Sequence, residues 1–490
     1  MSYLGIDIGS SQVKAVAYSA SGELLYSAYR KYEYLIPEAG AMELDTDEVI
    51  AKAFEVIREC AEFLQSSDPI KGIAASSQGE AFTMLDENGD ALMNGMISGD
   101  SRAADCMDKF TQQFGLEKIY QITGHTPSGM FSLPKILWIK ETHPEIFEKC
   151  KKILCFEDLL CYRMTGEAFI SYPLAGRTLL FDINKQVWSK DICQQAEIDT
   201  QMLATPLASG SACAKVQKSV ADNLSLTENV IFATAGHDQI IGAFGCGARD
   251  AGSAMYAAGS VECMVPVLPS KILSKELMLS NLCTYNFALD NIFASVGYSL
   301  TGSNLLEYFM REIVQDDAKD YDKLLESMPA KVTDLFVVPY FTPSGTPYFD
   351  VKTPGCLYGW RFSTSRGELL KGLLEGVAME MKLNYELFIE SGIKLNKLIA
   401  TGGGFRNKSV IQLHADILNL PIAVCNEKEN GCRGAAMLAQ KAVDGDISIK
   451  APEIICYVEP NQKQAQEYQK KFIKWKEFSK TMRNLKLWQS

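Results

Sequence analysis

Tyr3-Leu4-Gly5-Ile6-Asp7-Ile8-Gly9-Ser10-Ser11-Gln12-Val13-Lys14-Ala15-Val16-Ala17-Tyr18 sets two apolar runs on either side of a glycine-serine turn. Tyr3 to Asp7 reads as one strand, Gly9-Ser10-Ser11 as the turn and Val13 to Tyr18 as a second strand. Ser21-Gly22 turns the chain again into Glu23 to Ala28, which makes a β-meander. Thr46 to Phe63 follows at helical spacing (Val49, Ala53, Val56, Ile57, Cys60, Phe63), with Asp45 or Thr46 as its N-cap. Ile70 to Ser76 is a further buried strand. A meander followed by alternating helices and strands predicts an α/β domain with a mixed sheet.

The segment from Gly99 to about Ser225 reads as mostly helical, and then the opening pattern returns. Val230 to Ala235 is an apolar strand, Ile240 to Gly247 a small-residue helix, and Gly252 to Val267 a new hairpin turning at Ala258-Gly259-Ser260. Arg366 to Ile389 is a long amphipathic helix. Leu398-Ile399-Ala400 is a strand running into Thr401-Gly402-Gly403-Gly404, with a helix from Ser409 to Leu418. The reading is two related α/β domains with a seam near Cys246: residues 1–246, residues 247–445 and a terminal extension, 446–490. The letters are too dissimilar to establish a repeat. Gln462 to Leu485 places Tyr468, Phe472, Trp475, Phe478, Met482 and Leu485 on one face, which suits a terminal helix docked on the body.

The chain has 490 residues, is 47% hydrophobic and 22% charged, and carries a net charge of −12, which excludes a disordered tail and argues against a broad nucleic-acid surface. No run approaches the ~18 apolar residues needed to cross a bilayer, and the first residues lack a signal-peptide pattern. A cytoplasmic protein is the expectation, with no nucleic-acid or membrane partner. The 14 cysteines lack CxxC spacing and the 4 histidines are scattered, so reduced core thiols are expected and zinc is not.

Several polar loops sit where strands end. Asp7-Ile8-Gly9-Ser10-Ser11 can present amides and hydroxyls to phosphate, with Asp7 holding Mg²⁺ and Lys14 adding charge. Thr401-Gly402-Gly403-Gly404, before a helix, lets an anion approach the backbone. In Ala235-Gly236-His237-Asp238-Gln239 the Asp238 carboxylate can accept a proton from a substrate hydroxyl, or simply cap a helix. Ser76-Ser77-Gln78-Gly79-Glu80 and Asp100-Ser101-Arg102 offer the hydrogen bonds a polyhydroxylated ligand needs, or are ordinary loop polarity.

In order, DIGSS, SSQGE, GDSR, GHDQ, AAGS and TGGG…N resemble the FGGY family of carbohydrate kinases, over Tyr3 to about Ala439. Lys135 to Lys140 with Pro144-Glu145, Gly176 to Asp182 and Gly434 to Ala439 are similar to further segments of that family. The resemblance implies two actin-like (ribonuclease H-like) ATPase domains around a central cleft. It also implies ATP and Mg²⁺ as cofactors and a small-molecule sugar as substrate, with a homodimer by analogy. It places Asp7 at the metal and Asp238 as the catalytic base. Gln78, Glu80, Asp100, Arg102, Asp238 and Gln239 are assigned to the sugar. Gly9, Ser10, Ser11, Lys14, Gly259, Ser260, Gly302, Gly403, Gly404 and Asn407 are assigned to the nucleotide. Gly79 stands where glycerol kinases carry an arginine, Ser98 where the family has a tryptophan, Met130 where glycerol kinases carry a tyrosine and Ser171 where the family usually has an acid. The small residues in place of Trp and Arg predict room for a ligand larger than glycerol, and a ketopentose such as xylulose is favoured. Glycerol, gluconate or ribulose remain as alternative substrates. A non-catalytic sugar or nucleotide sensor and a chaperone-like ATPase are the readings from other classes.

Overall fold

A computed structural model describes residues 1–65, 67–315, 320–350 and 352–485. Strands β1 (Ser2–Ile8), β2 (Gln12–Ser19) and β3 (Leu24–Lys31) form the antiparallel meander that their apolar runs predict. Asp45 caps α1 (Thr46–Leu64) by accepting the amides of Asp47 and Glu48. The helix then buries Val49, Ala53, Val56, Ile57 and Cys60. Strand β4 (Ile70–Ser77) runs parallel to β1, and β5 (Ala212–Lys215) and β6 (Ile231–His237) complete a sheet of order β5-β6-β4-β1-β2-β3. The α2 helix (Asp238–Gly245) starts two residues before the expected Ile240, because Asp238 suits the positive end of the helix. The intervening region is helical as expected, yet Lys152–Cys155 pairs with Phe82–Leu85 in a small separate sheet. Four residues are too few to show strand alternation in sequence.

The second half repeats this topology. Strands β7 (Ser253–Ala258) and β8 (Glu262–Leu268) form the expected hairpin, and β9 (Lys397–Thr401), β10 (Ile422–Cys425) and β11 (Ile454–Val458) extend it in the order β11-β10-β9-β7-β8. Short strands at Gly297–Ser299 and Phe293–Ala294 take the place of β3 along β8. Each half therefore reads antiparallel edge, two parallel neighbours, hairpin and third meander strand, in the same sequence of directions. The α3 helix (Arg366–Glu390), closed at its start by a Ser365–Glu368 capping box, and α4 (Lys408–Leu418) pack on the second sheet. The last helices are α5 (Asn430–Asp444) and α6 (Gln462–Leu485). Tyr468, Phe472 and Trp475 of α6 are buried, and the Trp475 indole donates to the Val337 carbonyl at 2.6 Å, so the terminal helix docks on the body. Among the described residues no helix is long and apolar enough to cross a membrane. Eleven of the 14 cysteines are buried and all are free thiols.

The two halves meet through α2 and α5, which share one apolar core with Ala74 and Ala233 of the first sheet and Met255, Ile399 and Ala423 of the second. The contact is backbone against backbone. A Cβ on Gly245 would fall 1.9 Å from the Asn430 carbonyl oxygen, and one on Gly434 would fall 2.3 Å from that of Ile241. Gly245→Ala tests this contact. Helix propensity alone favours Ala by about 1 kcal/mol, whereas forcing atoms into a packed core costs typically 1–3 kcal/mol and occasionally more. At 1.9 Å from rigid backbone the second effect wins, so the variant lowers the urea unfolding midpoint. An unchanged or raised midpoint contradicts the packing.

Candidate active site

The strand ends of the first sheet carry the acidic residues. Register aligns Asp7 with Ser76 and Ser76 with Gly236 across β1, β4 and β6. Neighbouring strands lie about 4.8 Å apart, so Asp7 and the Gly236 backbone are separated by about 10 Å. A register shift between Thr234 and Gly236 bulges β6 and aims His237 and Asp238 out of the strand. The bulged Ala235 amide donates to Glu157 Oε1 at 2.7 Å, and the Ser171 hydroxyl donates to Glu157 Oε2 at 2.7 Å. Burial pushes the Glu157 carboxyl up to about 7. Ser171, which stands where the family usually has an acid, thus works through Glu157.

Asp238 is 29% exposed, and its Oδ1 has no hydrogen-bond partner. Burial, then the charges of Asp7 and Glu80, push its carboxyl up to about 8, against the pull of the Gln239 amide and Arg177. Burial likewise raises Asp7, which accepts the Ser76 hydroxyl at 3.0 Å. Lys14 holds Glu429 at 2.7 Å, so its ammonium is already paired, and it reaches Asp7 only through its field. Around the first turn, the Gly9 amide donates to the Gln12 carbonyl, the Gly9 carbonyl accepts Tyr32 and Gln78, and the Ser10 hydroxyl accepts Tyr34. Ser11 accepts the Tyr32 amide at 3.2 Å.

On the proposed sugar side, Glu80 adopts a left-handed backbone (φ 61°) and is buried in an ion pair with Arg177. Such a conformation costs on the order of 1–3 kcal/mol and persists where the surroundings enforce it. Here the guanidinium and the Ser132 hydroxyl, which donates to the Glu80 carbonyl at 3.0 Å, do so. Arg177 lies 4.8 Å from the Phe131 ring centroid and 5.7 Å from that of Tyr285. The room expected at Gly79 is filled: a Cβ there would meet His237 Nε2 at 2.8 Å and Arg177 Nε at 3.4 Å. Near Met130, Tyr298 of the second half brings its hydroxyl to 3.5 Å from the sulfur. Asp100 and Arg102 bind each other; Asp100 also accepts the Met42 amide, and Arg102 also pairs with Glu38 and Glu43. Arg102 lies 4.5 Å from the Trp138 ring centroid.

The second half presents its turns to the same cleft. Ser303 donates to the Gly259 carbonyl at 2.8 Å, and Gly302 packs on the backbone of Gly259 and Ser260 so tightly that a Cβ would lie 2.7 Å from the Gly259 oxygen. Gly402, at φ 85°, abuts Ala258, while a Cβ on Gly403 would meet open space and one on Gly404 would touch Ala258. Asn407 caps α4 through the Ser409 amide and donates to Asp322, so its side chain is engaged locally. Gln239 accepts the Cys263 thiol at 2.7 Å, which ties the base of α2 to the second hairpin. That contact stands one residue from Asp238, beside the second half. No group of three or more His, Cys, Asp or Glu poised for a metal occurs among the described residues. A single carboxylate plus phosphate oxygens and waters is the pattern Mg²⁺ takes, and buried Asp7, with one neutral hydroxyl donor, fits it.

Sequence reading passed over Arg177, His237 and Tyr285 as site residues. A lone arginine in Gly176-Arg177-Thr178-Leu179-Leu180-Phe181 was the available signal, because a charge in an apolar run needs a buried partner.

The raised Asp238 carboxyl carries a stability signature. Between its ordinary value of 3.8 and about 8 the folded protein binds a proton that the unfolded chain does not, so stability falls as pH rises through that window. The melting temperature of Asp238→Asn therefore gains on the parent protein as pH increases from about 4 to about 8, and the gap then levels. A gap that does not change with pH contradicts the placement.

Comparison with known proteins bears on what this cleft does. Residues 2–245 match the N-terminal domain of the FGGY family of carbohydrate kinases, and residues 254–443 match its C-terminal domain. A xylulose kinase of Bacillus subtilis (strain 168) is 27% identical over 441 residues, spanning 89% of this chain and 87% of that protein. A glycerol kinase of Treponema denticola is 28% identical over 454 residues, 90% of each chain. The fold agrees with that of gluconate kinase from Lactobacillus acidophilus at TM-score 0.90 and 21% identity, over 98% of this chain and 97% of that one. A duplicated actin-like fold, acidic strand ends facing glycine turns across a cleft, and domain matches over both halves converge: the chain belongs to the FGGY family of carbohydrate kinases and is an ATP-dependent sugar phosphotransferase.

Proposed function

We propose that this protein phosphorylates a hydroxyl of a ketopentose such as xylulose, with Asp238 as the general base. The observation that carries the reading is the Asp238 carboxylate: it stands just after β6, beside the second hairpin that Gln239 contacts, with its Oδ1 3.2 Å from His237 Nε2 but not hydrogen-bonded and a proton affinity raised to about 8. A base of that affinity suits proton transfer near neutral pH. The ketopentose is supported by relatives bearing the name xylulose kinase, not by the room once expected at Gly79.

In the mechanism, Gln78, Glu80 and the Arg177 guanidinium that orders Glu80 form the sugar-side wall. Asp100 and Arg102 brace that wall through their mutual contacts, and Gln239 fixes the start of α2. The turns at Gly9–Ser11 and Gly259–Ser260, with Gly302, Gly403, Gly404 and the Asn407-capped helix, face ATP from opposite sides. Asp7 would hold Mg²⁺, which neutralises charge on the phosphate oxygens. Asp238 takes the proton as the sugar oxygen attacks the γ-phosphorus, the bond from that phosphorus to the bridging oxygen breaks and ADP leaves, and positioning supplies most of the remaining rate. The division of labour follows the chain: 1–246 carries the sugar wall and first phosphate turn, 247–445 the nucleotide turns, and 446–490 the extension with α6.

A panel of ketoses, polyols and sugar acids with Mg-ATP tests this reading. ADP release rises most with D-xylulose or another ketopentose, and Asp238→Asn lowers turnover about 10²–10⁴-fold while nucleotide binding by calorimetry is retained. Sugar binding without turnover across the panel favours the sensor, and maximal turnover on glycerol or gluconate replaces the substrate.

A further inference from the structure

His237 and Tyr285 form a contact that the mechanism above does not use. His237 Nδ1 lies 2.8 Å from the Tyr285 hydroxyl, and His237 Nε2 lies 3.2 Å from Asp238 Oδ1. The second approach is close but poorly aligned for a hydrogen bond, as ligand-free catalytic contacts often are before substrate tightens them. The ring has a reserved place. It is buried, and Gly79 has no side chain where a Cβ would stand 2.8 Å from Nε2. Burial and the Arg177 charge push the imidazole well below its ordinary value, so the ring is neutral and carries one proton. In the ionised form in which it acts as base, above about pH 8, the Asp238 carboxylate only accepts, so the nitrogen facing it bears the hydrogen, and Nδ1 accepts from Tyr285.

We propose that Tyr285 and His237 are positioning residues for the base: the Tyr285 hydroxyl fixes the imidazole as its Nε2–H tautomer, and that N–H holds Asp238 Oδ1 in place while the other carboxylate oxygen faces the acceptor. Tyr285 belongs to the second half. Its neighbour Thr284 donates its amide to the Gly124 carbonyl at 2.9 Å, and Thr126 of the first half donates to the Met278 carbonyl at 3.0 Å. The base is thus oriented by a residue that arrives only when this segment docks on the first half, which links domain docking to chemistry. The inference rests on Asp238 being the base.

Two measurements test it on the full chain. The first needs no acceptor. With only 4 histidines, ¹⁵N-imidazole spectra can be assigned using His237→Gln. Above about pH 8, where Asp238 is ionised, the parent protein shows His237 as the Nε2–H tautomer, and Tyr285→Phe, which keeps the ring but loses the hydroxyl, shifts that population. The second is steady-state kinetics with Mg-ATP and the acceptor of highest turnover in the panel, D-xylulose first. Tyr285→Phe and His237→Gln each lower kcat about 10–100-fold with KM for ATP within twofold, and the double variant is no worse than the weaker single. An Nδ1–H tautomer in the parent at that pH, parental kcat in Tyr285→Phe, or additive losses in the double variant overturn the proposal. Asp238→Asn run alongside separates the two failures. If it keeps parental turnover the base assignment falls, and if it is inactive while Tyr285→Phe is unimpaired only the positioning role falls.

Discussion

The crossing of α2 over α5 is the constraint on which the rest of the molecule depends. The α2 helix follows β6 directly, and α5 follows β10 after a short loop. Their backbones touch at Gly245 and Gly434, so the two sheets are held at a fixed separation by residues with no side chain to yield. That contact points the strand ends of both sheets into one space. Asp7 and Asp238 arrive from β1 and β6, and the Gly259 and Gly402 turns arrive from β7 and β9. The N-terminus of α5 also lies against the first site: a Cβ on Gly431 would sit 3.2 Å from the Asp7 carboxyl carbon.

Electrostatics in the cleft follows from that geometry. The Asp238 carboxyl feels the charges of Asp7 and Glu80, and Arg177 is engaged with Glu80. The two nearby histidines, His125 and His237, are buried beside the same guanidinium and are held neutral by it and by desolvation. Burial raises Asp7, and burial together with the charges of Asp7 and Glu80 raises Asp238, while Glu80 is paired with Arg177. A cation at Asp7 and a proton-bearing hydroxyl at Asp238 are what these raised carboxyls accommodate.

Much of this was legible in the sequence because period and turn chemistry are local. The meander, the second hairpin at Gly259-Ser260, the capped helix at Thr46 and the terminal helix all carry their signals within a dozen residues. The duplication was visible only as two similar hairpins, since sheet order depends on pairings more than 140 residues apart, such as β7 with β9. The site was partly legible. Asp7 and Asp238 stand out as acids beside glycines, but what surrounds them does not. Gly79 reads as vacant space until His237 and Arg177 are seen to fill it, and the pairing of Asp100 with Arg102 cannot be read from the letters. Tyr285 and Glu157 had no signal, because each matters through a partner about 50 or more residues away in the chain.

A crystal structure of the protein with Mg-ADP, aluminium fluoride and the acceptor of highest turnover shows whether Asp238 receives the acceptor's proton at the seam between the halves, as we propose. In that complex an Asp238 carboxylate oxygen is expected within hydrogen-bond reach of the acceptor hydroxyl, about 2.6–3.2 Å, with that hydroxyl in line with the aluminium. An acceptor oxygen beyond that reach, or one held instead by Glu80 or Asp100, contradicts it.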